Sequence, residues 1–233
     1  TTAVAGAEVD QEFYKSLKNY CKKKDAALVI MLSRDPAKQT DKEGEYYLEK
    51  SLIEDDNVIL VDDASLNENI HLRTIKLSAK QIDATTGLDR IASVGTFVYA
   101  SPKQRLKPVP VGNTKHVHLL ITPGAVTVAD YYSEMYMSKK REYVAEFDHK
   151  VGALVVEIED EKIYYHRHVQ ADSDGSFIDL GKRYLPNGKV KNKPLLTLWP
   201  GDWHTGDTCP MVSACIEDIT KKYRPKKIFL NDF

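Results

Sequence analysis

The sequence predicts an α/β fold of the mixed α+β type, in which an N-terminal α/β domain with a mixed sheet is followed by a βαβ unit. Three observations predict it. Helical segments alternate with short apolar runs near the N-terminus, strand patterns dominate the middle of the chain, and residues 194–233 contain a strand, a helix and a strand in succession. Such an order of elements is typical of helices packed on a sheet.

Composition limits the classes of protein to which the chain can belong. It has 233 residues, of which 33 are Lys or Arg and 34 are Asp or Glu, and its formal net charge is −1. Because there is no overall basic field, any surface that binds phosphate must be local. No apolar run approaches the length of about 18 residues that a membrane-spanning helix needs, so no membrane partner is expected.

The cysteines and the N-terminus give expectations about location and processing. Cys21, Cys209 and Cys215 form no CxxC pair, so we expect no disulfide framework and a reducing, cytoplasmic location. The chain starts at Thr1 without Met and without the features of a signal peptide. From the sequence alone we therefore expect this start to be an internal cut in a longer protein.

The spacing of apolar residues predicts the N-terminal elements. Phe13, Leu17, Tyr20 and Cys21 share one face of a helix predicted over residues 10–24. A buried strand, a helix and a second buried strand are predicted after it, over residues 26–32, 45–53 and 57–61.

The middle of the chain is rich in β patterns. A hairpin that turns at Asp160-Glu161 is predicted to join the last two strands. The strands predicted here cover residues 70–77, 95–100, 116–122, 152–159 and 162–170.

A segment with turn and basic residues but few apolar ones, residues 180–194, is interpreted as a connection between domains. We therefore predict an N-terminal domain over residues 1–185, a linker over 186–194 and the start of a second, truncated domain over 195–233.

The C-terminal segment carries the residues with the clearest chemistry. A strand over 194–199 is predicted to lead into Asp202 and His204, and a second strand, after a helix opened by Pro210, leads into Asp232. In a βαβ unit the two strands are parallel neighbours, so these three side chains are expected at one sheet edge. Carboxylate and imidazole donors suit Mn, Fe, Zn or Mg, and the sequence predicts a metal site there.

The same residues resemble the motifs of the calcineurin-like metallophosphoesterases. Asp202-Trp203-His204, with Gly206 after it, is similar to the family's D-x-H motif. Asn231-Asp232 is similar to the opening of its G-D-x-x-D-G motif, with Asn in place of the first Gly. The resemblance implies that Asp202 and His204 ligate one metal ion, that Asp232 bridges two, and that the metal is manganese.

The resemblance also implies that part of the metal centre is missing. The family's Asn-His motif and its further histidines would lie beyond Phe233. We therefore expect an incomplete two-metal site, no catalytic residue within this chain, and no activity of the chain by itself.

Upstream segments resemble large tailed-phage proteins in which an α/β domain precedes a calcineurin-like phosphoesterase domain. The segments that carry this likeness are residues 116–127, 146–157 and 174–181. Some of those proteins are pre-early proteins associated with degradation of host DNA. The resemblance implies a hydrolase of the nuclease type that acts on DNA in the host cytoplasm.

Other hypotheses about binding sites and function remain open. Basic clusters are candidates for a DNA contact, with neighbouring tyrosines to stack on bases, although core packing is the favoured role of those tyrosines. The pairs His116/His118 and His166/His168 alternate on strand faces, where either could bind a metal or a phosphate. A non-enzymatic DNA-binding or protein-assembly module, which could be a homo-oligomer, is the alternative to the enzyme. The basic residues proposed to contact DNA are Lys139, Lys140, Arg141, Lys182 and Arg183.

Overall fold

The computed structural model describes residues 1–33, 48–75, 77–78, 80–112, 117–131, 139–201 and 206–230. Within these ranges it contains four α-helices and fifteen strands in several sheets, so the predicted mixed α+β class is confirmed. The chain divides into two compact units. Unit 1 is Thr1–Phe177 with Leu185–Gly188, and unit 2 is Ile178–Tyr184 with Lys189–Phe233.

Unit 1 begins with a parallel layer of the kind that the sequence predicts. The sheet order is β1-β2-β3, and both pairs of strands are parallel. The predicted helix over 45–53 is described from Lys50 onward, and residues 45–47 lie outside the described part. The elements are β1 (Thr2–Val4), α1 (Gln11–Lys24), β2 (Leu28–Ser33), α2 (Lys50–Ile53) and β3 (Val58–Leu60).

Helix α1 is set by its caps and by its apolar face. The Asp10 carboxylate accepts a hydrogen bond from the backbone N–H of Phe13 at 2.9 Å, which satisfies a donor that the first helical turn leaves open. Asp25 ends the helix in the left-handed region, with φ of 51°. The rings of Phe13 and Tyr20 pack against Phe177, with centroids 5.8 and 5.4 Å apart.

A five-stranded mixed sheet forms the centre of unit 1, in the order β4-β5-β6-β8-β7. The strands β5, β6 and β8 are parallel, whereas β4 and β7 pair antiparallel at the two edges. A 3₁₀ turn at Ile91–Ser93 precedes β6. The strands are β4 (Ala64–Ser65), β5 (Ile70–Arg73), β6 (Thr96–Tyr99), β7 (Gln104–Val109) and β8 (His118–Pro123).

Both faces of this sheet are buried, as expected when parallel strands form its centre. Ile70, Val98 and Ile121 belong to one apolar cluster. The alternate residues Phe97 and Leu120 belong to a second cluster. Because successive side chains of a strand point to opposite faces, the two clusters lie on opposite sides of the sheet.

The remaining elements of unit 1 are α3 (Lys139–Asp148) and a hairpin of β9 (Gly152–Ile158) and β10 (Tyr164–Gln170). The hairpin is antiparallel and turns where the sequence predicts, with the N–H of Glu159 donating to the carbonyl of Ile163 at 3.0 Å.

Gln104 ties this hairpin to the central sheet. Its side-chain amide donates to the carbonyls of Pro123 at 3.0 Å and Val169 at 2.8 Å. The Gln104 side chain therefore links β8 to β10 by hydrogen bonds at a place where the two strands do not pair with each other.

Unit 2 contains short strands and one helix. The end of β11 and the strands β12 and β13 form a three-stranded sheet, so the predicted linker over 186–194 includes strand β13. Unit 2 takes in Ile178–Tyr184 as well as the segment that begins at Lys189. The elements are β11 (Phe177–Asp179), β12 (Lys182–Tyr184), β13 (Val190–Asn192), β14 (Thr197–Leu198), α4 (Pro210–Tyr223) and β15 (Lys227–Ile228).

Candidate functional site

The C-terminal βαβ unit has the geometry that the sequence predicts. Strands β14 and β15 are parallel neighbours, and Thr197 and Leu198 pair with Lys227 and Ile228. The backbone N–H of Phe229 donates to the carbonyl of Leu198 at 3.0 Å, which extends the ladder by one step.

Helix α4 crosses between the two strands, and its sequence explains its ends. Pro210 occupies the first turn, where the missing N–H costs nothing. Lys221 and Lys222 lie in the last turn, near the negative end of the helix dipole. Arg224 closes the helix with φ of 45°, and its N–H donates to the carbonyl of Thr220.

The three predicted metal ligands follow these strands but lie outside the described residues. Asp202 and His204 fall in the gap at 202–205, and Asp232 falls in 231–233. The structure describes the strands that precede these residues. Leu198 and Ile228 are paired, and each precedes a carboxylate residue by four positions in the sequence.

Unit 2 exposes much of the apolar surface of this βαβ unit. The rings of Trp199 and Phe229 have centroids 6.3 Å apart, yet these residues are 64% and 52% exposed. None of the described residues of α4 is buried. Parallel strands are normally covered on both faces. This exposed apolar surface is therefore suited to contact with another polypeptide segment. The further exposed apolar residues are Leu196, Met211, Val212, Ile228 and Leu230.

One histidine of each pair considered as an alternative contacts a backbone carbonyl through a ring nitrogen. His118 Nδ1 lies 2.6 Å from the carbonyl oxygen of Ala92, and His168 Nε2 lies 2.9 Å from that of Thr122. His116 lies outside the described residues. Among the residues that are described, no group of three or more His, Cys, Asp or Glu side chains could hold a metal ion.

His149 is a buried structural histidine. Its Nε2 donates to the Thr127 carbonyl at 2.8 Å, and Nδ1 accepts from the Tyr131 hydroxyl at 2.6 Å, in the tautomer that satisfies both contacts. Burial lowers the pKa of His149 below its usual value, and the hydrogen bond to Thr127 offsets part of this effect. The ring is therefore neutral near pH 7 and links α3 to the segment after β8.

A charge cluster beside His149 was not predicted. The Lys103 side chain is 0% exposed, and its Nζ donates to the Ile82 carbonyl at 3.1 Å and to Asp148 at 3.3 Å. Arg105 contacts the same carboxylate at 3.2 Å. Burial lowers the pKa of Lys103, and Asp148 partly restores it. The cluster holds the end of α3 against β7, which is a structural role.

The basic residues proposed for DNA lie in different settings. Lys140 is exposed on α3, whereas the side chains of Lys139 and Arg141 lie outside the described part. Of the nearby tyrosines, Tyr131 is buried, as core packing predicts, but Tyr143 is 63% exposed.

Lys182 and Arg183 are consecutive in β12, so they project from opposite faces of the hairpin. The residue that shares a face with Arg183 is its ladder partner Lys191. The sequence grouped Lys182 with Arg183, but it could not separate the two faces because the register was unknown.

An apolar cleft of about 480 Å³ lies in unit 1, between α1, β2 and β9. Leu17, Met31, Leu72 and Leu154 line it together with Cys21. Burial raises the pKa of the Cys21 thiol, so this cysteine is held in its unreactive, protonated form.

Comparison with known proteins adds no relative. No family model matches the chain, and no curated protein or solved structure matches it significantly. In the part of the chain that the structure describes, every helix is too short or too polar to span a bilayer.

Proposed function

We propose that this chain is part of a divalent-metal phosphoesterase whose substrate is DNA, with Asp202, His204 and Asp232 as metal ligands. The observation that supports this most is the parallel pairing of Leu198 with Ile228. Because the strands run side by side in the same direction, the segments that follow them leave from the same sheet edge. A carboxylate stands four residues after each partner.

The donor set fits a hard or borderline cation. Two carboxylates and one imidazole offer oxygen and nitrogen ligands of the kind that bind Mn or Zn. When bound, such a cation neutralises charge on a phosphate group and lowers the pKa of water. In this proposal the residues of this chain would hold the cation. Asp202 and His204 follow β14, and Asp232 follows β15.

The proposal includes the origin implied by the resemblance, a phage protein that degrades host DNA in the host cytoplasm. It also includes a further polypeptide segment that completes unit 2. The exposure of Trp199, Phe229 and the outer side of α4 supports such a segment, because apolar surface of this extent favours a covering partner.

An activity measurement on a longer chain tests the proposal. The natural reading frame is extended past Phe233 through the expected Asn-His motif, and cleavage of bis(p-nitrophenyl) phosphate and of plasmid DNA is followed with Mn²⁺. The Asp202→Ala variant should lose at least about a hundred-fold in rate, while the neighbouring Asp207→Ala variant keeps its activity. Full activity of Asp202→Ala, or a stop codon after Phe233, contradicts the proposal.

A second candidate is a non-enzymatic assembly module, and the exposed apolar side chains of unit 2 are the observation that favours it. In that case the 233-residue chain self-associates through this surface. Sedimentation velocity at increasing protein concentration tests it: a dimer that the Trp199→Ser variant returns to monomer supports the module, and a monomer at all concentrations excludes self-association through this surface.

A further inference from the structure

Helix α3 exposes two aromatic side chains side by side. Phe147 is 81% exposed, and Tyr143, one helical turn before it, is 63% exposed. Residues four positions apart on a helix are neighbours on its surface, with Cβ atoms about 5–6 Å apart. The two rings therefore form one aromatic surface on unit 1, which the core of the unit does not cover.

The buried side of α3 fixes the direction of this surface. Ala145 is fully buried, and so is most of His149, which follows the helix directly. His149 Nε2 lies 2.8 Å from the carbonyl oxygen of Thr127. At 3.6 residues per turn, Tyr143 and Phe147 each lie roughly opposite Ala145 on the helix. The helix is thus anchored on one side and presents its two rings to solvent on the other.

Two lysines flank the rings. Lys140 is exposed and lies three positions before Tyr143, so both residues share a face of the helix. Lys150 Nζ lies 5.8 Å from the centre of the Phe147 ring, a distance at which a cation and a ring attract each other. The N–H of Lys150 donates to the carbonyl of Pro102 at 2.9 Å, which fixes its backbone. We call Lys140, Tyr143, Phe147 and Lys150 the aromatic–lysine face.

The acidic residues of α3 lie outside the aromatic–lysine face. The Asp148 carboxylate contacts Lys103 at 3.3 Å and Arg105 at 3.2 Å. Glu142 is buried on the opposite side of the helix. Glu146 is exposed and lies beside the face, about a quarter of a turn from Phe147. The face itself therefore presents aromatic rings and positive charge.

The size of the face decides between possible occupants. A fully buried aromatic side chain removes about 150–250 Å² from water, so two rings that are already partly covered offer less than about 400 Å². A stable protein interface takes about 800 Å² from each partner, and a helix that lies in a membrane surface needs a long apolar face. A nucleic-acid base needs only one ring to stack on, and its phosphate is attracted to a neighbouring lysine.

We infer that the aromatic–lysine face binds single-stranded nucleic acid, with bases on Tyr143 and Phe147 and phosphates on Lys140 and Lys150. Every base has two flat faces, and these are free to stack on a protein ring only where the strand is unpaired. The inference deepens the proposed function, on which the choice of DNA over RNA rests. The binding surface itself rests on the geometry of α3.

Fluorescence anisotropy of labelled oligonucleotides tests the inference on the 233-residue chain. The buffer contains EDTA, so the proposed metal site does not contribute. The probes are a DNA strand of about 20 nucleotides, the corresponding RNA strand, the DNA duplex, and a DNA strand of the same length without bases, which keeps only the phosphates. Vesicles of phosphatidylglycerol provide a test of membrane binding.

The ring variants are Tyr143→Leu and Phe147→Leu, which keep an apolar side chain and a good helix former but remove the aromatic ring. The control is Tyr165→Leu, at a tyrosine of unit 1 that is 54% exposed. We expect each ring variant to weaken binding of the DNA strand about ten-fold, while the control binds as the wild type does. Circular dichroism verifies that each variant keeps its helix content.

The lysines are tested by the salt dependence of binding. Because each phosphate contact to a single strand contributes about 0.7 to the slope of log K against log salt, Lys140→Gln with Lys150→Gln should reduce that slope by about 1.4. The control, Lys22→Gln with Lys23→Gln, removes the same charge from exposed positions of α1. It should leave the slope unchanged.

The comparison of probes separates base stacking from attraction of charge alone. We expect the wild type to bind the DNA strand about ten-fold or more tightly than the strand without bases, and more tightly than the duplex. Equal affinity for the strands with and without bases, tighter binding of the duplex, or equal weakening by Tyr165→Leu and the ring variants overturns the inference. Tighter binding of RNA than of DNA overturns the choice of DNA.

Absence of binding to both single strands also overturns the inference. If the wild type then binds the vesicles, and Phe147→Leu reduces that binding, the face is a membrane contact instead. Because all of these measurements are made in EDTA, a failure of the proposed metal site leaves them unchanged, and the metal site is tested separately.

Discussion

Leu198 and Ile228 are direct partners in a parallel ladder, although thirty positions of sequence separate them. This pairing is the main support for the proposed metal site, because the segments that follow β14 and β15 leave from the same edge of the sheet. The sequence predicted two strands that are each followed by a carboxylate residue, and the ladder shows that these two strands are neighbours.

The Gly175 turn provides a test of packing in unit 1. Gly175 has φ of +72°, and a Cβ there would lie 2.5 Å from the backbone carbon of Glu12 and 2.6 Å from the nitrogen of Phe13. We expect Gly175→Ala to lower the free energy of unfolding by about 2–4 kcal/mol, through backbone strain and overpacking. Urea denaturation measures this change.

Gly87 is the matched control for that substitution, since its φ is +79° but no atom lies within 4 Å of a Cβ built there. Gly87→Ala should cost only the backbone strain, about 1 kcal/mol. Equal costs at Gly87 and Gly175 would show that the turn does not pack against the start of α1 as described.

Asp55 should make stability depend on pH. Its carboxylate accepts hydrogen bonds from Lys18 at 2.8 Å and from Tyr14 at 2.7 Å. The bond from Lys18, with others from Tyr14 and Asn57, holds the pKa of Asp55 well below its usual range. A lowered folded-state pKa stabilises the fold above the unfolded value of about 3.9 and loses this contribution as pH falls through the folded value.

We therefore expect Asp55→Asn to lower the free energy of unfolding by about 1–3 kcal/mol at pH 7, with a difference from wild type that stays constant down to about pH 5 and shrinks below about pH 4. Urea denaturation at pH 7, 5 and 3 measures it. The exposed neighbour Asp56, changed to Asn, serves as the control. A difference that does not shrink at pH 3 is the contrary result.

The Lys103–Asp148 pair predicts an asymmetry between its two partners. Removing the negative charge with Asp148→Asn leaves the buried Lys103 ammonium with only neutral oxygen acceptors, such as the carbonyl of Ile82, and we expect a loss of about 3 kcal/mol. Lys103→Met leaves Asp148 with Arg105 at 3.2 Å, so the expected loss is about 1 kcal/mol. Thermal and urea unfolding of both variants compare the two, and a larger loss in Lys103→Met contradicts the described burial.

Sequence patterns predicted the elements whose formation is local. The spacing of Phe13, Leu17 and Tyr20 predicted α1, and that helix is observed over Gln11–Lys24. Apolar runs of strand length predicted β2, because a buried strand is apolar along its length, and similar runs predicted the strands of the βαβ unit, which are less buried in the structure. These predictions needed no knowledge of distant contacts.

Elements at the edges of the sheets were not predicted. Strand β7, Gln104–Val109, carries polar residues and Pro108, a pattern that argues against a central strand. It forms at the edge of the sheet, where such residues are tolerated. The β12–β13 hairpin was interpreted as a connection for a similar reason, since only Tyr184 of its two strands is buried.

Contacts between residues that are brought together only by the tertiary fold could not be predicted from the sequence either. Lys103 and Asp148 are 45 positions apart, and no periodicity relates them. The faces of Lys182 and Arg183 became distinct only with the register of the hairpin. Asp202, His204 and Asp232, in contrast, were proposed from motifs alone, and they remain the predicted ligands.

The most direct test of the central proposal is a calorimetric titration of the 233-residue chain with Mn²⁺, without nucleic acid. We expect saturable binding by the wild type, a loss of affinity of more than about ten-fold in Asp202→Asn and in Asp232→Asn, and unchanged binding in the control Asp207→Asn. Absence of binding by the wild type, or equal affinity in all four proteins, contradicts a metal site after β14 and β15.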